Sequence, residues 1–157
     1  MTRVLFVCLG NICRSPSAEA VFRGLVRERG LEDTILTDSA GTGAWHVGNP
    51  PDERAQLVGR HYGYDMSDLR ARKVEDTDFA EFDYILAMDN SNFRNLERMR
   101  PSAYAGTLAM MMDFAGRNGE EVPDPYYGDL SDYETVFDML KPAAEGLLAH
   151  ILDEMKK

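Results

Sequence analysis

The opening of the chain constrains its fold more than any other stretch. Val4 to Leu9 is a short unbroken apolar run with two valines, the pattern of a buried parallel strand. A polar stretch with Gly10 and Asn11 follows. From Pro16 onward Ala18, Val21, Phe22 and Leu25 recur at three- and four-residue spacing, which marks an amphipathic helix. Ser15 reads as its N-cap with Pro16 at the first helical position, and Gly30 as its C-terminal stop. The chain therefore begins strand, loop, helix.

The same alternation continues. Ile35 to Ser39 reads as a second strand ended by Gly41-Thr42-Gly43, and residues 42–51 as a loop holding the only tryptophan, Trp45. Asp52 is a candidate cap for a helix over residues 53–62. Tyr84 to Met88 reads as a third strand, and Asp89 as the cap of a helix ending near Met99. Leu108 to Phe114 is a fourth apolar run, followed by a Gly/Asn/Pro-rich stretch from Gly116 to Gly128. Val136, Leu140, Ala144, Leu147 and Ile151 hold helical register in the last segment, where Pro142 predicts a kink or a division. Strands alternating with helices imply an α/β fold: a three-layer sandwich with a four-stranded parallel sheet and helices on both faces. The 157 residues suit one domain spanning 1–157, with no repeat, low-complexity tract or linker to divide it. Such sheets bind ligands beyond the carboxyl ends of their strands.

Charge and cysteine usage narrow the function. With 17 basic and 27 acidic side chains the net charge is −10, which repels nucleic acid and anionic membrane surfaces. No apolar stretch approaches the roughly 20 residues of a membrane-spanning helix, so membrane insertion is not expected. Arg3 precedes an apolar run that Asn11 and Arg14 interrupt too soon for a signal-peptide core. Two cysteines, Cys8 and Cys13, are too few for a disulfide framework, and reduced thiols in a cytoplasmic protein are the expectation. His46, His61 and His150 show no metal-binding pairing and read as surface or structural residues. No metal site and no cofactor are expected.

The chemistry concentrates in the loop after the first strand. A loop between a strand's carboxyl end and a helix's amino end turns backbone N–H groups into one concavity, and the helix dipole adds positive potential there. Leu9, Gly10, Asn11, Ile12, Cys13, Arg14 and Ser15 would surround a phosphate, with Gly10 and Asn11 tolerating left-handed backbone. Cys8 at the floor gains from the same N–H groups, which stabilise a thiolate and favour its ionisation. Arg14 can clamp two phosphoryl oxygens with its planar fork. Ser15 is placed to donate a hydrogen bond to the sulfur. The pattern is neither the nucleotide G-x-x-x-x-G-K-[ST] loop nor the dinucleotide G-x-G-x-x-G turn. Taken alone, a C-x5-R-S string is better explained by a buried cysteine, a solvated arginine and a glycine turn; the strand before it and the helix after it reverse that preference in favour of the anion site.

At Val7-Cys8-Leu9-Gly10-Asn11-Ile12-Cys13-Arg14-Ser15-Pro16 the chain resembles the low-molecular-weight protein tyrosine phosphatases. The resemblance continues through Asp38-Ser39-Ala40-Gly41-Thr42, Trp45-His46-Val47-Gly48, Pro50-Pro51-Asp52, Arg70-Ala71-Arg72, Phe82 to Asp89 and Asp124-Pro125-Tyr126-Tyr127-Gly128. It implies hydrolysis of phosphotyrosine in proteins through a phosphocysteine, with Cys8 as nucleophile and Arg14 as clamp. Spacing alone cannot choose a general acid among 27 carboxylates; the resemblance assigns that role to Asp124. It makes Trp45, Tyr126 and Tyr127 an aromatic rim for the substrate ring, although each also suits an ordinary core or loop position. Asn11, Ser15 and Ser39 become supports of the loop. A histidine that some members place in this network has Tyr62 as its counterpart here, with His61 beside it. Cys13 is either a small core residue or the thiol that captures oxidised Cys8 as a disulfide. Implied partners are a phosphotyrosine-containing protein, a kinase that phosphorylates Tyr126 or Tyr127, and inorganic phosphate or vanadate as site ligands.

Three other readings share these residues. Arsenate reductases of related fold relay a disulfide through cysteines further downstream, and none follows Cys13. Phosphoarginine phosphatases carry threonine where Ile12 stands, and an isoleucine's apolar branch packs better on a tyrosine ring. An inactive phosphate-binding module would need neither nucleophile nor acid.

Overall fold

The computed structural model describes residues 1–157. Four strands, β1 (Thr2–Cys8), β2 (Ile35–Gly41), β3 (Tyr84–Ala87) and β4 (Thr107–Met110), form one sheet in the order β2-β1-β3-β4. Every pairing is parallel. The helices are α1 (Arg14–Glu28), α2 (Glu53–His61), α3 (Asp78–Glu81), α4 (Asn90–Met99) and α5 (Leu130–Met155). The expected α/β sandwich is present.

Strand alternation sorts β1 between two cores. Val4, Phe6 and Cys8 face a cluster with Phe22 and Val26 of α1, Val58 of α2, and Phe137 and Leu140 of α5. Leu5 and Val7 face the opposite cluster, with Phe79 of α3 and Leu96 of α4. Val4, Leu5, Phe6 and Val7 are wholly buried, which is why this strand reads as a continuous apolar run. The chain leaves β1 toward β2 on one side and reaches β3 on the other. The carboxyl end of β1 is therefore the point where strand order reverses, the place such sheets bind ligands.

Several local expectations need correction. α1 begins at Arg14, with Cys13 as its N-cap and no side-chain cap bond. Ser15 is thus inside the first turn rather than capping it, and Pro16 is the third helical residue, where its missing N–H costs nothing. Gly30 follows the helix at φ +68°, the left-handed stop its position predicts. The fourth apolar run is two elements: β4 ends at Met110, and a 3-10 helix covers Met111–Ala115. Asp113 explains the change, because its carboxylate accepts from the backbone N–H groups of Met110 and Gly119 and curls the chain. Pro142 does not divide α5, which runs unbroken past it. The proline lies on the solvent-exposed face, where water can serve the carbonyl deprived of its helical donor. α3 carries too few residues for a periodic signal and is absent from the sequence reading. Asp52 and Asp89 cap α2 and α4 as expected, accepting from Arg54 N and Asn92 N.

Gly146 gives this packing a direct test. It lies on α5 against the 3-10 helix, where an added Cβ would overlap the carbonyl oxygen of Phe114. Alanine gains about 1 kcal/mol of helix propensity, but overpacking against backbone costs about 1–3 kcal/mol or more. Because the overlap is with backbone, the cost lies at the upper end, about 3 kcal/mol. Gly146→Ala is expected to lower unfolding stability by about 2 kcal/mol net in urea titration; an unchanged or raised midpoint would contradict this packing.

Candidate active site

The loop from Leu9 to Cys13 leaves β1 and enters α1 without a helix cap, so the first N–H groups of α1 remain turned toward the loop's interior. Asn11 is the only non-glycine residue at positive φ (58°). Its strain is offset by three hydrogen bonds. Nδ2 donates to Ser15 Oγ (2.8 Å) and Ser39 Oγ (3.0 Å), and Oδ1 accepts from the backbone N–H of Arg72 (3.0 Å). The side chain is 2% exposed. Gly10 is needed for a different reason than left-handed backbone: a Cβ there would press on the His46 ring at 3.0 Å.

Cys8 and Ser15 meet at the floor, Sγ to Oγ, 2.9 Å. Because Asn11 donates into Ser15 Oγ, the serine's own proton is free for the sulfur or for Ala40 O at 3.4 Å. Arg14, 3% exposed, donates through one terminal nitrogen to Asp89 Oδ2 (2.7 Å) and to Val122 O (3.1 Å). Its other terminal nitrogen lies 3.8 Å from Asp124 Oδ2. Burial acts to lower the guanidinium's pKa, but Cys8, Asp89 and Asp124 outweigh it and the net direction is upward. The charge is secure, and the fork is held in place before any ligand arrives.

A cavity of about 400 Å³ opens above these groups, lined by Cys8, Leu9, Gly10, Ile12, Cys13, Arg14, Trp45, His46, Asp124, Tyr126 and Tyr127. The structure thus brings the loop, Asp124 and all three aromatic residues to one mouth. Trp45 and Tyr127 are 72% and 95% exposed, so neither is a core residue. Tyr126 stacks edge-on against Tyr127 and lies under the Arg54 guanidinium (5.7 Å). Asp124 is positioned by its own turn, Oδ1 accepting from Tyr126 N (3.1 Å). Cys13 lines the cavity and also reaches α5, its sulfur 3.4 Å from the Tyr133 hydroxyl. Burial pushes the Cys13 thiol up to about 12.

Two expectations fail here. Tyr62 does not reach the loop; its hydroxyl donates to Asp138 (2.9 Å) and its ring packs on Phe137 of α5. The support comes instead from the segment carrying Arg72. That segment bonds Gly41 at the end of β2 through Arg72 O and Val74 N, and bonds Asn49 beside the rim through Ala71 N (2.9 Å). Its Arg72 guanidinium is fixed between Asp38 and buried Asp78. His46 is a wall of the cavity, tilted against Tyr126, rather than a bystander. Its adjacency to Trp45 was the available signal. Asp89 has two tasks: Oδ1 caps α4 and Oδ2 holds Arg14. A carboxylate just after the strand beside β1 was the clue to the second. No group of three or more His, Cys, Asp and Glu side chains is arranged to hold a metal ion.

Asp89→Asn separates the two tasks, because asparagine caps helices as well as aspartate does. Because the cap survives, any loss reports the bond to Arg14: thermal stability is expected to fall by roughly 3 kcal/mol as the buried guanidinium loses its charged partner, and turnover of an aryl phosphate to fall about tenfold or more. Unchanged stability and turnover would show that Asp89 acts only as the cap.

Comparison with known proteins agrees with this arrangement. Residues 3–157 match the family model described as low molecular weight phosphotyrosine protein phosphatase. The chain is 44% identical over 155 residues to the low molecular weight protein-tyrosine-phosphatase YfkJ of Bacillus subtilis, covering 98% of each. It superposes on a crystal structure of a protein tyrosine phosphatase from Entamoeba histolytica with TM-score 0.92 and 42% identity, covering 100% of both chains. A drosophila arginine phosphatase is also similar, with TM-score 0.89, 35% identity, and coverage of 96% of this chain and 99% of that one. A β1–loop–α1 unit carrying Cys8 and Arg14 in the expected loop position, and a family match over nearly the whole length, together establish that the chain belongs to the low molecular weight phosphotyrosine protein phosphatase family.

Proposed function

We propose that the protein hydrolyses phosphotyrosine in proteins, with Cys8 as nucleophile, Arg14 as clamp and Asp124 as general acid and base. The observation that carries this reading is the placement of Cys8 Sγ on Ser15 Oγ at the floor of the loop, with Arg14 and Asp124 lining the same cavity. The loop N–H groups from Leu9 to Ser15 bind the phosphate, as they would bind inorganic phosphate or vanadate. Asn11, Ser15 and Ser39 hold that loop in shape. The Cys8 thiolate attacks phosphorus in line, the bond to the tyrosyl oxygen breaks, and the Asp124 carboxyl gives its proton to the departing phenolate. Asp124, now a carboxylate, takes a proton from water as that water attacks the phosphocysteine; the P–S bond breaks, and thiolate and phosphate leave. Arg14 and the amides offset charge on the equatorial oxygens in both steps. The half-exposed carboxyl of Asp124 suits an acid that must meet both substrate and water.

Trp45, Tyr126 and Tyr127 form the walls against which a substrate ring stacks. Tyr126 and Tyr127 are reachable by a kinase, since they are 37% and 95% exposed. The substrate protein meets an acidic chain, and no helix is long and apolar enough to cross a membrane; we place the enzyme in the cytoplasm, where its two thiols stay reduced.

Cys13 guards the nucleophile. Hydrogen peroxide oxidises Cys8 to a sulfenic acid with release of water, and the Cys13 thiol then attacks that sulfur, expelling a second water and closing a disulfide. The buried, protonated Cys13 makes this capture slower than an exposed thiolate would.

A second reading, phosphoarginine hydrolysis, draws on the likeness to the arginine phosphatase. Ile12 lines the cavity and gives it an apolar wall suited to a phenyl ring.

Three outcomes are expected. Cys8→Ser abolishes p-nitrophenyl phosphate hydrolysis without added metal, and Asp124→Ala slows phosphotyrosine turnover about 10²–10⁴-fold; turnover surviving Cys8→Ser would end the mechanism. Phosphotyrosine peptides exceed phosphoarginine peptides in kcat/KM, and Ile12→Thr narrows the gap; the reverse preference would overturn the substrate assignment. After peroxide, dithiothreitol restores the native enzyme, whereas Cys13→Ser stays inactive; equal recovery of both would remove Cys13 from the pathway.

A further inference from the structure

Gly43, on the connection from β2 to the rim, has no backbone reason to be glycine. It is not among the glycines at positive φ, so its main chain does not call for one. Glycine also leaves the unfolded chain freer than alanine would, which works against folding. The reason lies two residues on. A Cβ added at Gly43 would overlap the Trp45 indole, and the three atoms it would meet first, Cζ3, Cε3 and Cη2, all belong to the six-membered ring. The indole occupies the place that a side chain at residue 43 would take.

The main chain beneath that ring is fixed to the floor of the cavity. Gly43 N donates to Leu9 O (2.9 Å), and Thr42 N donates to Cys8 O (2.9 Å). Further along the same connection, Gly48 N donates to Ala71 O (2.8 Å) and ties down its other end. The remaining rim rings pair with one another, His46 with Tyr126 and Tyr126 with Tyr127. Trp45 belongs to neither pair, yet it lines the cavity while most of it is exposed. His46 shows the same device once more, since its ring lies where a Cβ at Gly10 would press.

We propose that Gly43 is a specificity-determining positioning residue: lacking a side chain, it seats the Trp45 indole against main chain bonded to the phosphate loop, and so sets an aromatic wall for an aryl phosphate. The proposal rests on the phosphotyrosine reading and deepens it. An indole wall rewards an aromatic ring by stacking and gives an alkyl phosphate ester much less. The substrate ring meets that wall before and during the reaction alike, so the wall acts on binding and not on the chemical step. A methyl group at residue 43 displaces the edge of an exposed ring instead of packed core, which leaves the fold and the floor intact.

The test compares the parent enzyme with Gly43→Ala, Trp45→Ala and the double variant. Substrates are a phosphotyrosine peptide and the same peptide carrying phosphoserine, with inorganic phosphate as competing inhibitor. Trp45 is the only tryptophan, so fluorescence reports its indole directly. Gly43→Ala is expected to shift that emission and to raise KM for the phosphotyrosine peptide about three- to tenfold, with kcat unchanged. Inhibition by phosphate stays as in the parent. In the Trp45→Ala background the alanine adds nothing, because both changes act through one contact. Gly43→Ser carries the comparison if the alanine variant does not fold. Unmoved emission and KM, an equal rise of KM in the Trp45→Ala background, or weakened inhibition by phosphate would each overturn the proposal. A parent enzyme that does not favour phosphotyrosine over phosphoserine marks a different failure, that of the phosphotyrosine reading, and the proposal falls with it.

Discussion

A loop that turns its N–H groups inward toward an anion cannot also use them to brace its own curve, and here the Asn11 side chain braces it instead. One amide stands in for several missing main-chain bonds. It joins the start of α1 through Ser15, the end of β2 through Ser39, and the segment before α3 through Arg72 N. These three anchors lie 4, 28 and 61 residues from it along the chain. The anion site is therefore a property of the assembled sheet and not of a local motif. The same dependence explains why Asn11 tolerates a conformation that most side chains avoid: leaving it would strand buried donors and acceptors.

The second constraint is electrostatic. A chain with net charge −10 receives a dianion at a point where Arg14 is buried among carboxylates. Asp89 supplies the fixed partner and Asp124 the looser one, at 2.7 and 3.8 Å. The tight pair uses one terminal nitrogen of the guanidinium. The other faces the cavity and Asp124, so a phosphoryl group meets a donor already oriented but incompletely satisfied.

What the sequence reveals and what it hides follows contact order. Cys8, Gly10, Asn11, Arg14 and Ser15 are legible because strand, loop and helix adjoin in one stretch, and apolar periodicity marks both flanks. β1, β2 and β3 are legible because burial on two faces leaves unbroken apolar runs. The resemblance, rather than periodicity, marked Asp124, Trp45, Tyr126 and Tyr127. Asp89, Arg72 and His46 stayed hidden as site residues, since each acts through contacts between separate elements and none breaks a local rule. Asp89 in particular satisfies its helix cap so well that nothing locally announces its bond to Arg14, 75 residues away. Tyr62 failed for the converse reason: a position counted along the chain was taken for a position in space, and the ring faces α5. Pro142 does not divide α5, because its cost depends on which face of the helix it occupies.

The floor and the rim of the cavity are built from different materials. The floor belongs to β1 and α1, where Cys8, Arg14 and Ser15 are buried, so an alteration there is felt by the core around them. Trp45 and Tyr127 stand on connecting segments and share almost no packing with it. A lineage of such enzymes is consequently free to exchange rim side chains, and with them the proteins it recognises, while the reaction beneath is inherited intact.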